Sequence, residues 1–219
     1  MRPSRILAIA SLVVLAACTQ HKTEEQSSQE SSPAAAPAEP HPADQGALSC
    51  DYPVKHDATA EQLLAKYGDD AVVGLVETPD AGTTNGVILW RGYPKQRIEI
   101  TFWDKEQTHI RAVRLGQEAT AWKGPSGLHY GSSIEDVASA NGAFALERYN
   151  WDDGGYLGDL GDGRLAKLPG GCGLSVRLAP QADKRHDAPY NDDGFDWNDD
   201  RVAGLGLTVS RMEIDWPKS

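Results

Sequence analysis

Ser133-Ile134-Glu135-Asp136-Val137-Ala138-Ser139-Ala140-Asn141-Gly142 reads as a short capped helix. A hydroxyl residue suited to N-capping opens it, a glutamate follows two positions on, and an aliphatic residue stands two further. Glycine, a common helix stop, closes it. The same order occurs 74 positions earlier, at residues 59–68. There Thr59-Ala60-Glu61-Gln62 fits a capping box, Leu63, Leu64 and Tyr67 give a short apolar face, and Gly68 ends the helix.

Strand-like runs follow each copy. After the first come residues 71–76, 87–90, 96–103 and 110–115. Ile98, Ile100 and Phe102 alternate with Arg97, Glu99 and Thr101, the pattern of a sheet wet on one face. Thr83-Thr84-Asn85-Gly86 and Gly92-Tyr93-Pro94-Lys95 read as turns between strands. After the second copy come residues 143–149, 173–178 and 205–214, with Leu174, Val176 and Leu178 alternating with Ser175 and Arg177. The expected fold is therefore α+β, with two tandem helix-plus-antiparallel-sheet units over residues 50–122 and 123–219 forming one compact domain. Short capped helices also share these features through physics alone.

Gly131 and Ser133, then Glu135, Val137 and Gly142, with Thr59, Glu61, Leu63 and Gly68 as the first copy, resemble the helix that feeds the antiparallel sheet of small outer-membrane lipoproteins of the barrel-assembly machinery. Tandem copies of such a unit resemble the β-lactamase inhibitor proteins. The resemblance covers about a tenth of the chain and implies a protein that binds other proteins rather than one that catalyses. No partner-contacting residue carries over. Asn141-Gly142 with Phe144, followed by Trp151-Asp152-Asp153-Gly154-Gly155, also resembles bacterial lipoproteins without an assigned activity.

The N-terminus points to the same compartment. Arg2 and Arg5 precede an apolar run over residues 6–17, which is of signal-peptide length and short for a membrane span. Leu15-Ala16-Ala17-Cys18 resembles a lipoprotein signal ending in a cysteine that carries the lipid, with an ordinary secretory signal as the alternative. Residues 1–17 are then the signal peptide and residues 18–47 a lipidated, Ser/Ala/Pro/Glu-rich tether holding His21 and His41. The α+β domain spans residues 48–219. Thr19, rather than an aspartate, after Cys18 resembles outer-membrane sorting.

The chain carries a net charge of −11, and loss of the two signal-peptide arginines takes it to −13. Such an acidic protein is a poor fit to nucleic acid, and long-range attraction favours basic partners. Besides Cys18 only Cys50 and Cys172 remain, and in an exported compartment that pair is expected as a disulfide.

Catalytic patterns are not apparent. Gly124-Pro125-Ser126-Gly127 lacks the spacing of a nucleophile elbow and reads as a turn. The run at residues 154–163 lacks the ending of a phosphate loop and reads as two turns between short strands. His56, His109, His129 and His186 are scattered and read as structural or surface residues. The acidic run at residues 191–200 reads as a solvated hairpin loop; the alternative is a weak calcium site on Asp196, Asn198 and Asp200, although Arg201 and Leu207 break the EF-hand pattern. No other cofactor is expected. Six tryptophans are present, and Trp197, in a polar loop, is the expected exposed interface residue. The functional expectation is a non-catalytic interaction module, lipid-anchored at the periplasmic face of the outer membrane, with an envelope protein as partner. The alternatives are a calcium-binding structural envelope protein and an enzyme whose site assembles only in three dimensions.

Overall fold

The computed structural model describes residues 47–78, 82–150 and 154–218. The signal peptide, Cys18, nearly all of the tether, and Trp151, Asp152 and Asp153 lie outside the described residues. Both capped helices are present. In α1, Ala60–Tyr67, the Gln62 amide donates to the Thr59 hydroxyl at 3.2 Å and the Thr59 amide to Gln62 Oε1 at 3.0 Å. In α2, Ile134–Asn141, Ser133 and Asp136 make the same reciprocal pair at 3.1 and 2.8 Å. Gly68 and Gly142 end the helices at φ +53° and +101°, where a side chain would be strained.

Among the described residues nine strands form one antiparallel sheet: β1 Ala71–Glu77, β2 Thr83–Leu89, β3 Ile98–Phe102, β4 Ile110–Leu115, β5 Ala145–Asn150, β6 Gly155–Asp159, β7 Gly173–Ala179, β8 Phe195–Asp196 and β9 Thr208–Asp215. Their spatial order is β1-β2-β3-β4-β9-β7-β6-β5-β8. Each of the two longer helices thus precedes strands that pair successively, and the last strands of the two series, β4 and β9, meet in the middle. A four-residue helix, α3 (Asp200–Ala203), follows the short edge strand β8. Among the described residues no helix is long and apolar enough to cross a membrane.

Register sorts the side chains onto two faces. Val87, Ile100, Val113 and Ile214 lie opposite one another across β2, β3, β4 and β9, and with Leu63 of α1 and Val137 of α2 they belong to one buried cluster. Trp90 and Trp122 fill it beside Tyr67, with ring centroids 5.4 and 5.7 Å apart along the chain of three. Burial of surface this apolar is what drives the helices onto the sheet. The Cys50–Cys172 disulfide is formed and ties the start of the domain to the approach to β7 across 122 positions.

Two expectations require correction. Residues 83–86 are not a turn but the first half of β2, with Thr83 and Thr84 opposite Glu77 and Val76. Gly86 sits within the strand because a Cβ there would collide with the Ile100 carbonyl and the Val76 side chain. Residues 154–163 are not only turns: Gly155–Asp159 is β6, paired on both sides. Its glycines are also dictated by packing, since a Cβ on Gly155 would stand 2.6 Å from the Leu178 carbonyl and one on Gly158 3.0 Å from Val176.

Candidate functional site

The face of the sheet opposite the core carries charge. One register row runs Ile88, Glu99, Arg114, Glu213 and Ser175 across β2, β3, β4, β9 and β7. Arg114 Nε donates to Glu213 Oε2 at 2.9 Å, with both side chains less than a tenth exposed. Arg97 clasps Glu99 through Nε and Nη2 at 3.1 and 2.6 Å. Ser175 donates to Asp215 Oδ2 at 2.8 Å, and burial raises the Asp215 carboxyl above its ordinary range despite that bond.

The β1–β2 hairpin closes over this face. In a flat sheet β1 and β9 would lie four strand spacings apart, roughly 19 Å. Yet Glu77 Oε2 at the end of β1 accepts from Arg211 Nη2 of β9 at 2.9 Å and from Arg114 Nη1 at 3.4 Å. The sheet therefore curls, bringing the distal end of β1 over its polar face. Inside the curl lies a cleft of about 450 Å³ bordered by Leu75, Glu77, Arg91, Arg97, Arg114 and Arg211. Tyr130 stands at its margin and donates to the Leu115 carbonyl at 3.0 Å; burial pushes its hydroxyl up to about 12, against the lowering pull of Arg211 and Arg114. A second space of about 90 Å³ continues along the sheet and shares Arg114 and Arg211.

Apolar surface adjoins these charges. Leu75 is 68% and Val73 47% exposed, both on β1, which has no strand on its outer side among the described residues. An edge strand with free backbone groups and exposed aliphatic side chains is a template for pairing with another chain. The arrangement suits recognition: guanidinium groups for an anion, aliphatic side chains for contact area, and an open backbone edge.

The residues singled out from sequence lie elsewhere. Asp196 ends β8, Asn198 follows in the turn, and Asp200 begins α3. Asp199 between them has the defined role: it accepts from the Arg201 amide at 2.8 Å and from its guanidinium, bonds that pull its carboxyl down to about 2. Among the described residues no three His, Cys, Asp or Glu side chains gather as a metal would require. Trp197 is half-buried rather than exposed, stacked on Phe144 with centroids 6.4 Å apart, because its backbone N–H is fixed to the Phe144 carbonyl at 3.1 Å.

Three of the histidines, His56, His109 and His129, also serve local structure. His56 stacks on Trp216, and His129 Nδ1 lies 2.8 Å from the Tyr130 carbonyl. His109 joins a loop clasp in which Asp104 accepts from the Thr108 and His109 amides at 3.0 and 2.8 Å. Desolvation raises that carboxyl, but these bonds and the two side-chain bonds outweigh it and bring it to about 2. Thr108 and Asp104 both face His109 Nδ1, so the group is a clasp and not a nucleophile–base–acid relay.

Sequence reading found the polar face of β3, although it is not wet as expected, since Thr101 is buried and Glu99 only partly exposed. It did not find the cleft, whose parts are joined by long-range register: Arg114 and Glu213 are 99 positions apart, and Glu77 and Arg211 are 134 apart. No protein-family model, curated protein or solved structure matches the chain.

Proposed function

We propose that the chain is a lipoprotein anchored through Cys18 at the periplasmic face of the outer membrane, and that its domain is a non-catalytic module that binds an envelope protein. The observation that carries the binding role is the charged cleft beneath β1, joined to the exposed Leu75 and Val73 of an edge strand whose outer side is open among the described residues. The anchoring role is supported by the basic head, the short apolar run and the Leu-Ala-Ala-Cys ending.

The same proposal includes an origin as two helix-plus-four-strand units. It is supported by the matched capping boxes and by the succession β1-β2-β3-β4 facing β5-β6-β7-β9 in mirrored order. Tandem units of this kind also underlie the resemblance to the inhibitor proteins, whose work is binding.

In-cell photocrosslinking from Leu75 of the full lipidated chain, with mass spectrometry of the captured neighbour, tests the binding role. Reproducible capture of one envelope protein is expected. Capture of nothing from Leu75 and Val73, while a known complex is captured in the same cells, rejects it. Cys18→Ser is expected to move the protein out of the membrane fraction; unchanged fractionation rejects the anchor.

A further inference from the structure

The cleft contains a carboxylate of its own. Glu77 reaches across from the hairpin to Arg211 and Arg114 although its side chain is 53% exposed and Arg114 is already paired with Glu213. The cleft does not need Glu77 to neutralise Arg114. Arg91 borders the same space, and no carboxylate among the described residues pairs with it. Four arginines and the carboxylates of Glu77, Glu99 and Glu118 border the cleft; Glu99 holds Arg97 and Glu213 holds Arg114, which leaves Arg211, through exchange with Glu77, and Arg91 to meet a ligand. Guanidinium groups are the side chains best shaped for a carboxylate.

We infer that Glu77 occupies the place of a ligand carboxylate, and that the cleft takes an acidic, extended peptide segment of a partner protein. This rests on the binding-module reading and specifies its ligand. The segment lies along the outer edge of β1, exchanging main-chain hydrogen bonds with it while an apolar side chain covers Leu75 and Val73. Its carboxylate displaces Glu77 from Arg211 and reaches Arg91. An extended strand suits the site better than a free anion because the open edge and the aliphatic pair adjoin the arginines. Salt screens the negative charges that lie more than a Debye length of about 8–10 Å from the cleft, so only the nearby carboxylates oppose an acidic segment, and Glu99, one of these, is held by Arg97.

The test is fluorescence anisotropy of the full chain with a labelled short peptide alternating valine and glutamate. Binding is expected, and E77Q should tighten it by up to about fivefold, the worth of one partly exposed ion pair withdrawn from competition. R211Q and R91Q should each weaken it, together by more than about tenfold. The same peptide with glutamine in place of glutamate should bind at least about tenfold more weakly. Equal binding of the glutamine peptide, or an E77Q affinity unchanged or reduced, overturns the inference. Inorganic phosphate that displaces the peptide and itself gains from E77Q also overturns it, assigning the cleft to free anions. Crosslinking from Leu75 that succeeds while the glutamate peptide fails rejects the acidic ligand and leaves the binding module standing. Failure of both rejects the binding module as well.

Discussion

Removal of the Asn141 side chain should destabilise the domain by about 3–5 kcal/mol. The residue is 2% exposed at the last position of α2. Its Nδ2 donates to the Leu160 carbonyl at 3.1 Å and its Oδ1 accepts from the Leu165 amide at 3.0 Å, so one amide satisfies two backbone groups of the β6–β7 connection. In Asn141→Ala both groups are orphaned in a buried position, at about 1–3 kcal/mol each. The vacated volume adds to this, because a Cβ on the facing Gly163 would collide with the Asn141 amide, showing how closely the two pack. Urea unfolding of the wild type and the variant at equal m gives the difference directly. Gly163→Ala attacks the same contact from the other side, so the double variant should lose less than the sum of the singles. A loss below about 1 kcal/mol for Asn141→Ala, or strict additivity in the pair, would refute the role assigned to the amide.

Three further outcomes are expected. The double variant Cys50→Ala, Cys172→Ala should lose about 5 kcal/mol on the chain-entropy model for a closure spanning 122 positions, and a loss under about 2 kcal/mol in chemical denaturation would show that the unfolded chain is constrained by other means. Gly86→Ala should lose about 1–3 kcal/mol by the same measurement, because its Cβ meets the Ile100 carbonyl, a backbone group with little freedom to move. Tyr130 should ionise late: burial favours its neutral form, so its contribution is complete below pH 10 and is lost as pH rises from about 10 to about 12. Absorbance titration of tyrosinate in wild type and Tyr130→Phe checks this, and a difference spectrum centred near pH 10 would contradict it.

The parts of the fold that were legible are those set by neighbours in sequence. A capping box closes within three residues and a glycine stop within one turn, so both helices could be read at their ends. Alternation in β3 and β7 shows which side is polar, because the pleat repeats every two residues, but not that Thr101 and Arg177 on that side are buried. The Cys50–Cys172 pair was expected from the count of cysteines left beside Cys18, without any need for geometry. β6 was hidden because the same glycines that suggest turns are required there by the Leu178 carbonyl and Val176, atoms some twenty positions away. Trp197 sits in a polar run, but its ring is placed by Phe144, more than fifty positions back. The cleft lay further from view still. Arg114 and Glu213 are ordinary strand residues until β4 and β9 are known to be neighbours.

That pairing of β4 with β9 explains why charge lies at the centre of the sheet. Only three residue pairs are in register along this seam: Ala112 with Asp215, Val113 with Ile214, and Arg114 with Glu213. Three pairs with one apolar match define register weakly if contact area alone decides. A slip of one residue would turn Arg114 or Glu213 toward the core face and bury a charge without its partner. A buried ion pair adds little net stability over apolar residues of the same shape, because desolvation offsets most of the attraction. Its value here is discrimination: the native register satisfies both charges at 2.9 Å, and the slipped ones satisfy neither. The ion pair that fixes how the two series of strands join also holds Arg114 at the floor of the cleft, within reach of Glu77. Register at the seam and geometry at the binding site are therefore set by the same side chain.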